Sequence, residues 1–92
     1  MKRIAVITTK ITAHHQGVDF EALKKKEMPF IQKWKEEGVL ENFYINADTN
    51  GAVLIFKNLE MEQVIKNMEG LPFFPYLVKV EYIEINKIFK SK

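Results

Sequence analysis

Leu71-Pro72-Phe73-Phe74-Pro75-Tyr76 is the stretch that sorts the rest of the chain into elements. Two prolines bracket two aromatics, and a third aromatic follows. Each proline fixes its own φ and pushes the preceding residue away from helical space, so the stretch is neither helix nor ordinary strand. It is expected to be a rigid, extended connector holding its rings in set directions. Burying rings of this size stabilises by about 2–3 kcal/mol each, so the connector should line a pocket or a subunit interface.

Upstream of the connector, Met61, Val64, Ile65 and Met68 recur at helical spacing. Asn58 is expected to cap that helix and Gly70 to close it. Ala52 to Phe56 is a continuous apolar run and reads as a central strand. Asn50-Gly51 before it signals a hairpin, because a type I′ turn needs positive φ at both central residues. Residues 39–47 partly alternate and read as a strand. Asn42, Tyr44 and Asn46 share one face of it, Phe43 and Ile45 the other, and either set could line a cavity. Asp19 is the expected N-cap of a helix over 20–37, which Gly38 ends in the left-handed conformation. Residues 10–18 form a loop containing His14 and His15. Residues 2–9 are β-branched and apolar, as suits a strand buried on both faces. Downstream, residues 77–85 form the last strand. The tail Lys87-Ile88-Phe89 is apolar enough to be expected on a partner subunit.

The order is β-α-β-β-α-β, the ferredoxin-like split βαβ arrangement. It gives an α+β fold, a four-stranded antiparallel sheet with two helices on one face. The second sheet face needs a cover, and a second copy of the chain would supply it, sheet against sheet, as in a dimeric α+β barrel. The 92 residues make a single domain, 1–92. With 14 basic and 12 acidic residues the net charge is +2, too little to argue for nucleic acid. The run Lys24-Lys25-Lys26 is followed by Glu27 and reads as a solvated helix face. There is no cysteine, hence no disulfide, thiolate chemistry or zinc finger. No apolar run approaches the roughly 20 residues of a membrane span, and no signal-peptide core is present. A cytoplasmic protein without membrane contact is expected.

The most informative single residue is Glu27. On a helix, Phe20, Leu23, Phe30, Ile31 and Trp34 gather into one apolar stripe, and Glu27 falls within it. A carboxylate in a buried face is costly unless paired or functional. Apolar surroundings raise its pKa, which makes it a usable acid or base near neutrality. The structural alternative is a side chain at the stripe's edge, paired with a lysine. Pro29, on the helix's other side, removes one hydrogen bond, so a kink or restart is expected there. Trp34 could stack on a ligand or serve the core. His14 and His15 have no acidic or cysteine partner at ligand spacing, so no metal site is expected.

The segment Leu71-Pro72-Phe73-Phe74-Pro75-Tyr76-Leu77 resembles the Leu-Pro-Leu-Phe-Pro-Tyr-Met stretch of muconolactone isomerases. Glu36-Glu37-Gly38 is similar to the Glu-Gly that ends the first helix in that family, and the spacing from Glu27 to Gly38 to Leu71 fits without gaps. The resemblance covers about residues 2–82. It implies a ferredoxin-like subunit, a sheet-packed homodimer and larger rings of dimers. It implies a cofactor-free proton shift that moves the double bond of a small carboxylated lactone. Glu27 matches the family's proton carrier, and Lys10 matches a lysine that could attract a carboxylate or polarise the lactone carbonyl. Lys24, Trp34, Phe74 and Tyr76 complete the expected substrate-binding set. The chain departs from the family at Asp48-Thr49-Asn50-Gly51, where the family carries a histidine, and at His14-His15, which the family lacks.

Other function classes stay open beside the isomerase. One is a non-catalytic dimeric module binding a small apolar ligand. Another is a cofactor-free monooxygenase on the same fold. A raised Glu27 pKa beside a cavity favours catalysis, whereas a salt-bridged Glu27 without a cavity favours the module.

Overall fold

In a computed structural model the described residues are 2–10, 19–46, 51–86 and 88, without the side chains of Lys10 and Phe20. The elements follow the expected order. They are β1 (Lys2–Lys10), α1 (Phe20–Glu36), β2 (Leu40–Ile45), β3 (Gly51–Phe56), α2 (Met61–Glu69), a short 3₁₀ turn (Phe74–Tyr76) and β4 (Leu77–Asn86). The sheet order is β2-β3-β1-β4, and every neighbouring pair is antiparallel. This is the ferredoxin-like α+β fold.

Register sorts the side chains between the two sheet faces. Ile4 lies opposite Phe56, and Val6 lies between Leu54 and Tyr82. Ile4, Val6, Leu54 and Phe56 are buried, and with Ile31, Trp34, Val64 and Met68 of the helices they form the core. Burial of such side chains supplies most of the driving force for folding. On the other face Ala5 pairs with Ile55 and Ile83, and Tyr44 pairs with Val53. The helices do not cover this side, and Tyr44 and Ile83 remain 56% and 41% exposed.

Asp19 caps α1 as expected, accepting the Ala22 N–H at 3.1 Å. Gly38 follows the helix at φ +75°, where a side chain would be strained. α1 runs through Pro29 without a restart, and the proline lies on its exposed side. The expected cap of α2 is corrected. Asn58 sits two residues upstream in the left-handed region, at φ 60°, a conformation Asn tolerates better than most residues. Glu60 is the N-cap, and its N–H donates to Gln63 Oε1 at 2.9 Å.

The connector is not extended. Phe73 has φ −76° and ψ −17°, Phe74 N–H donates to the Leu71 carbonyl at 3.0 Å, and Tyr76 N–H donates to the Phe73 carbonyl at 2.8 Å. Proline fixes φ, and φ near −70° serves a tight turn as well as an extended chain. Local hydrogen bonds select the turn.

The expected turn at Asn50 lies outside the described residues. Asn46 N–H donates to the Gly51 carbonyl at 2.9 Å, so β2 and β3 close on each other across residues 47–50. Gly51 itself is the first residue of β3 and does not have positive φ. Its lack of a side chain matters for another reason: a Cβ there would run into the Thr8 carbonyl of β1. The expected loop with His14 and His15 lies outside the described residues, as does Phe89. Ile88 is 80% exposed. Among the described residues no helix is long and apolar enough to cross a membrane.

Candidate active site

Between α1 and the sheet lies a half-open cavity of about 240 Å³. At about 30 Å³ per water-sized group it has room for roughly eight such groups, the scale of a small metabolite. Its helix wall is Lys24, Glu27, Met28 and Ile31, spaced as one face of α1. The sheet supplies Thr8, Phe43, Ile45, Ala52 and Leu54. Met68 of α2, Leu71 and Phe73 of the connector and Leu77 at the start of β4 also line it.

Phe43 and Ile45 therefore face the cavity, while Tyr44 takes the open sheet face. The pairing decides it: Phe43 lies opposite buried Leu54, and Ile45 lies opposite Ala52. The lining is mostly apolar. Thr8 spends its hydroxyl on the neighbouring strand, accepting the Ala52 N–H at 3.1 Å and donating to the Ala52 carbonyl at 3.4 Å. Lys24 stands at the rim, 66% exposed and 3.9 Å from Glu21.

Glu27 is the buried polar group of this wall. Its Oε1 is out of contact with solvent and accepts no hydrogen bond from any group among the described residues. Burial pushes its pKa from the usual 4.5 up to about 7, opposed by a hydrogen bond from the Phe73 backbone. The carboxyl is thus largely desolvated and, among the described residues, not salt-bridged. It can accept a proton or return one near neutral pH, as a general base and acid must.

The structure brings Lys24 and Glu27 to this cavity and leaves the expected aromatic set outside its wall. Trp34 is 5% exposed and meets Phe56 edge-on in the core. Phe74 packs against that core, and Tyr76 is half-buried in the 3₁₀ turn. Phe73, not Phe74 or Tyr76, is the connector ring that lines the cavity. The Lys10 side chain lies outside the described residues. Its backbone ends β1 opposite Leu77, beyond a register shift. The sequence leaves open whether Asn42, Tyr44 and Asn46 or Phe43 and Ile45 line a cavity, and it does not single out Phe73; the structure selects Phe43 and Ile45. The connector pattern carried the signal for Phe73, but which of its three rings turns inward depends on the turn. Among the described residues no three His, Cys, Asp or Glu side chains gather as a metal ion would require.

A ferredoxin-like α+β protein with a desolvated carboxyl between its first helix and its sheet is the class this geometry defines. No protein-family model matches the chain, and no curated protein matches it in sequence. Among solved structures, muconolactone isomerase shares its fold: the TM-score is 0.74 over 99% of this chain and 98% of that one, at 20% identity. The chain has a muconolactone isomerase-like fold.

Proposed function

We propose that this protein is a cofactor-free isomerase in which Glu27 moves a proton between two carbons of a small molecule and thereby shifts a double bond. The observation that carries the reading is the desolvated carboxyl of Glu27 in a cavity wall, its buried Oε1 without a hydrogen-bond partner among the described residues. A carboxylate held this way removes a proton from an activated carbon of the substrate. The electron pair moves into the adjacent carbonyl as an enolate. The resulting carboxylic acid then returns a proton to the far carbon of the extended enolate. The substrate class that the fold likeness suggests is a small carboxylated lactone. Its ring would lie among Ile31, Phe43 and Leu71, with its carboxylate toward Lys24 at the rim. Lys10 is proposed to steady the enolate oxygen from the end of β1.

The open sheet face supports a homodimer, with Tyr44, Ile55, Ile83 and Ile85 covered by the same residues of a second copy. Tyr44, Ile83 and Ile85 are exposed on it, and contiguous exposed apolar surface marks association sites. We place the protein in the cytoplasm on the same reading.

The test is exchange of ring protons of a small unsaturated lactone with deuterated water, followed by NMR, together with ultraviolet absorbance for the double-bond shift. The wild type should catalyse both. Glu27→Gln should keep the fold and lose activity by a factor on the order of 10² or more, because an amide cannot accept the proton. Equal exchange by Glu27→Gln removes Glu27 from the chemistry. Binding without exchange by the wild type points instead to the ligand-binding module.

A further inference from the structure

We propose that the groove between the second half of α1 and the last turn of α2 is a second binding site, one that takes a small planar aromatic carboxylate, with the ligand's ring on Phe30 and its charge at Lys33 and Lys66.

The groove holds about 330 Å³ and shares no lining residue with the Glu27 cavity. At about 30 Å³ per water-sized group it has room for roughly eleven such groups, which suits a small aromatic acid. Phe30 and Trp34 line it together, one helical turn apart, with ring centroids at 6.4 Å and planes at 59°. Trp34 is buried, whereas Phe30 is 39% exposed. The open Phe30 ring offers a flat ligand an offset or edge-on stack.

Both helices bring positive charge to this ring. Lys33 of α1 and Lys66 of α2 line the groove, with Asn67 beside Lys66. Among the described residues neither lysine forms an ion pair, and the half-buried Asn67 amide has no hydrogen bond. Glu37 and Glu62 stand four residues from Lys33 and Lys66, the spacing of helical ion pairs, yet neither closes on its lysine. Among the described residues no acidic side chain lines the groove. Two like charges at one groove repel, and an anion bound there relieves the repulsion.

The combination selects the ligand class. An inorganic anion would use the lysines and leave the ring unused. A neutral apolar molecule would use the ring and leave both cations without a partner. An aromatic carboxylate uses both, and the Asn67 amide can donate a hydrogen bond to it. Each exposed ion pair is weak alone, so affinity depends on the stack and the charges acting on one molecule.

The probe is 2-naphthoate, followed by proton–nitrogen NMR at the Asn67 side-chain amide and the indole N–H of Trp34, the chain's only tryptophan. Saturable shifts of both signals are expected, with affinity falling as salt rises. 2-Naphthamide keeps the rings without the charge, and hexanoate keeps the charge without the rings. Each should bind roughly fivefold more weakly or worse. Lys33→Gln and Lys66→Gln should each weaken binding about threefold, and the double variant about tenfold. Both lysines are exposed, so these variants leave the core intact.

Shifts confined to cavity residues such as Met28 and Phe43 overturn the site, as does equal binding of 2-naphthamide or unchanged affinity in the double lysine variant. A hexaglutamate peptide that displaces 2-naphthoate and binds more tightly would make the groove a docking face for an acidic protein segment, and overturns the small-ligand reading. No turnover enters the readout, and Glu27→Gln should bind 2-naphthoate as the wild type does. The groove site therefore stands or falls apart from the isomerase reading.

Discussion

Trp34 and Phe56 meet edge-on across the interface between α1 and the sheet, their ring centroids 5.4 Å apart and their planes at 65°. This geometry suits the ring quadrupoles and adds to the area both rings bury. It also commits Trp34 to the core, two helical turns beyond Glu27. Trp34→Ala should therefore destabilise the fold by about 3–5 kcal/mol in chemical denaturation. The Glu27 titration midpoint should not move in the folded variant. A shift there would mean that Trp34 also shapes the cavity.

The raised pKa of Glu27 makes a signed prediction for stability. In the unfolded chain the carboxyl ionises near 4.5, whereas in the fold it keeps its proton until about pH 7. The folded state binds the proton more tightly. The stability that protonation provides is full below 4.5, declines as pH rises and is gone above about 7. Denaturation midpoints compared between wild type and Glu27→Gln should show this difference developing from pH 4.5 to pH 7 and flat above. The amide should be the more stable variant at the alkaline end. In the isomerase reaction the ionised form is the base, so kcat/KM should rise with pH to a plateau with a midpoint near 7. A rate limb near 4.5 would show that the carboxyl is solvated during catalysis.

The uncovered sheet face predicts self-association. Light scattering at micromolar concentration should give a dimer or a multiple of it, with an interface above about 1,000 Å². Ile83 lies opposite Ala5 on this face and is 41% exposed. Ile83→Glu leaves the core untouched and places a charge in the interface, so it should shift the protein toward monomer. A monomeric wild type would rule out the sheet-packed arrangement.

Much of the fold was legible in the sequence because its signals are local. The helical spacing of Met61, Val64, Ile65 and Met68 comes from a backbone repeat that needs no tertiary contact. The Asp19 cap and the left-handed Gly38 are likewise decided within a few residues of chain. The suspicious place of Glu27 in an apolar stripe was visible for the same reason.

What the chain could not settle locally, the tertiary structure decided. Alternation divides β2 into two faces but does not say which is inner; pairing with Leu54 and Ala52 turned Phe43 and Ile45 toward the cavity. The prolines set φ in the connector, and hydrogen bonds to Leu71 and Phe73 then chose a turn over an extended chain, which brought Phe73 inward. Whether Glu27 is solvated, salt-bridged or desolvated depends on what packs over it. Its neighbours around the cavity, Phe73 and the sheet, are distant in sequence, and desolvation is a property of the surroundings and not of the residue.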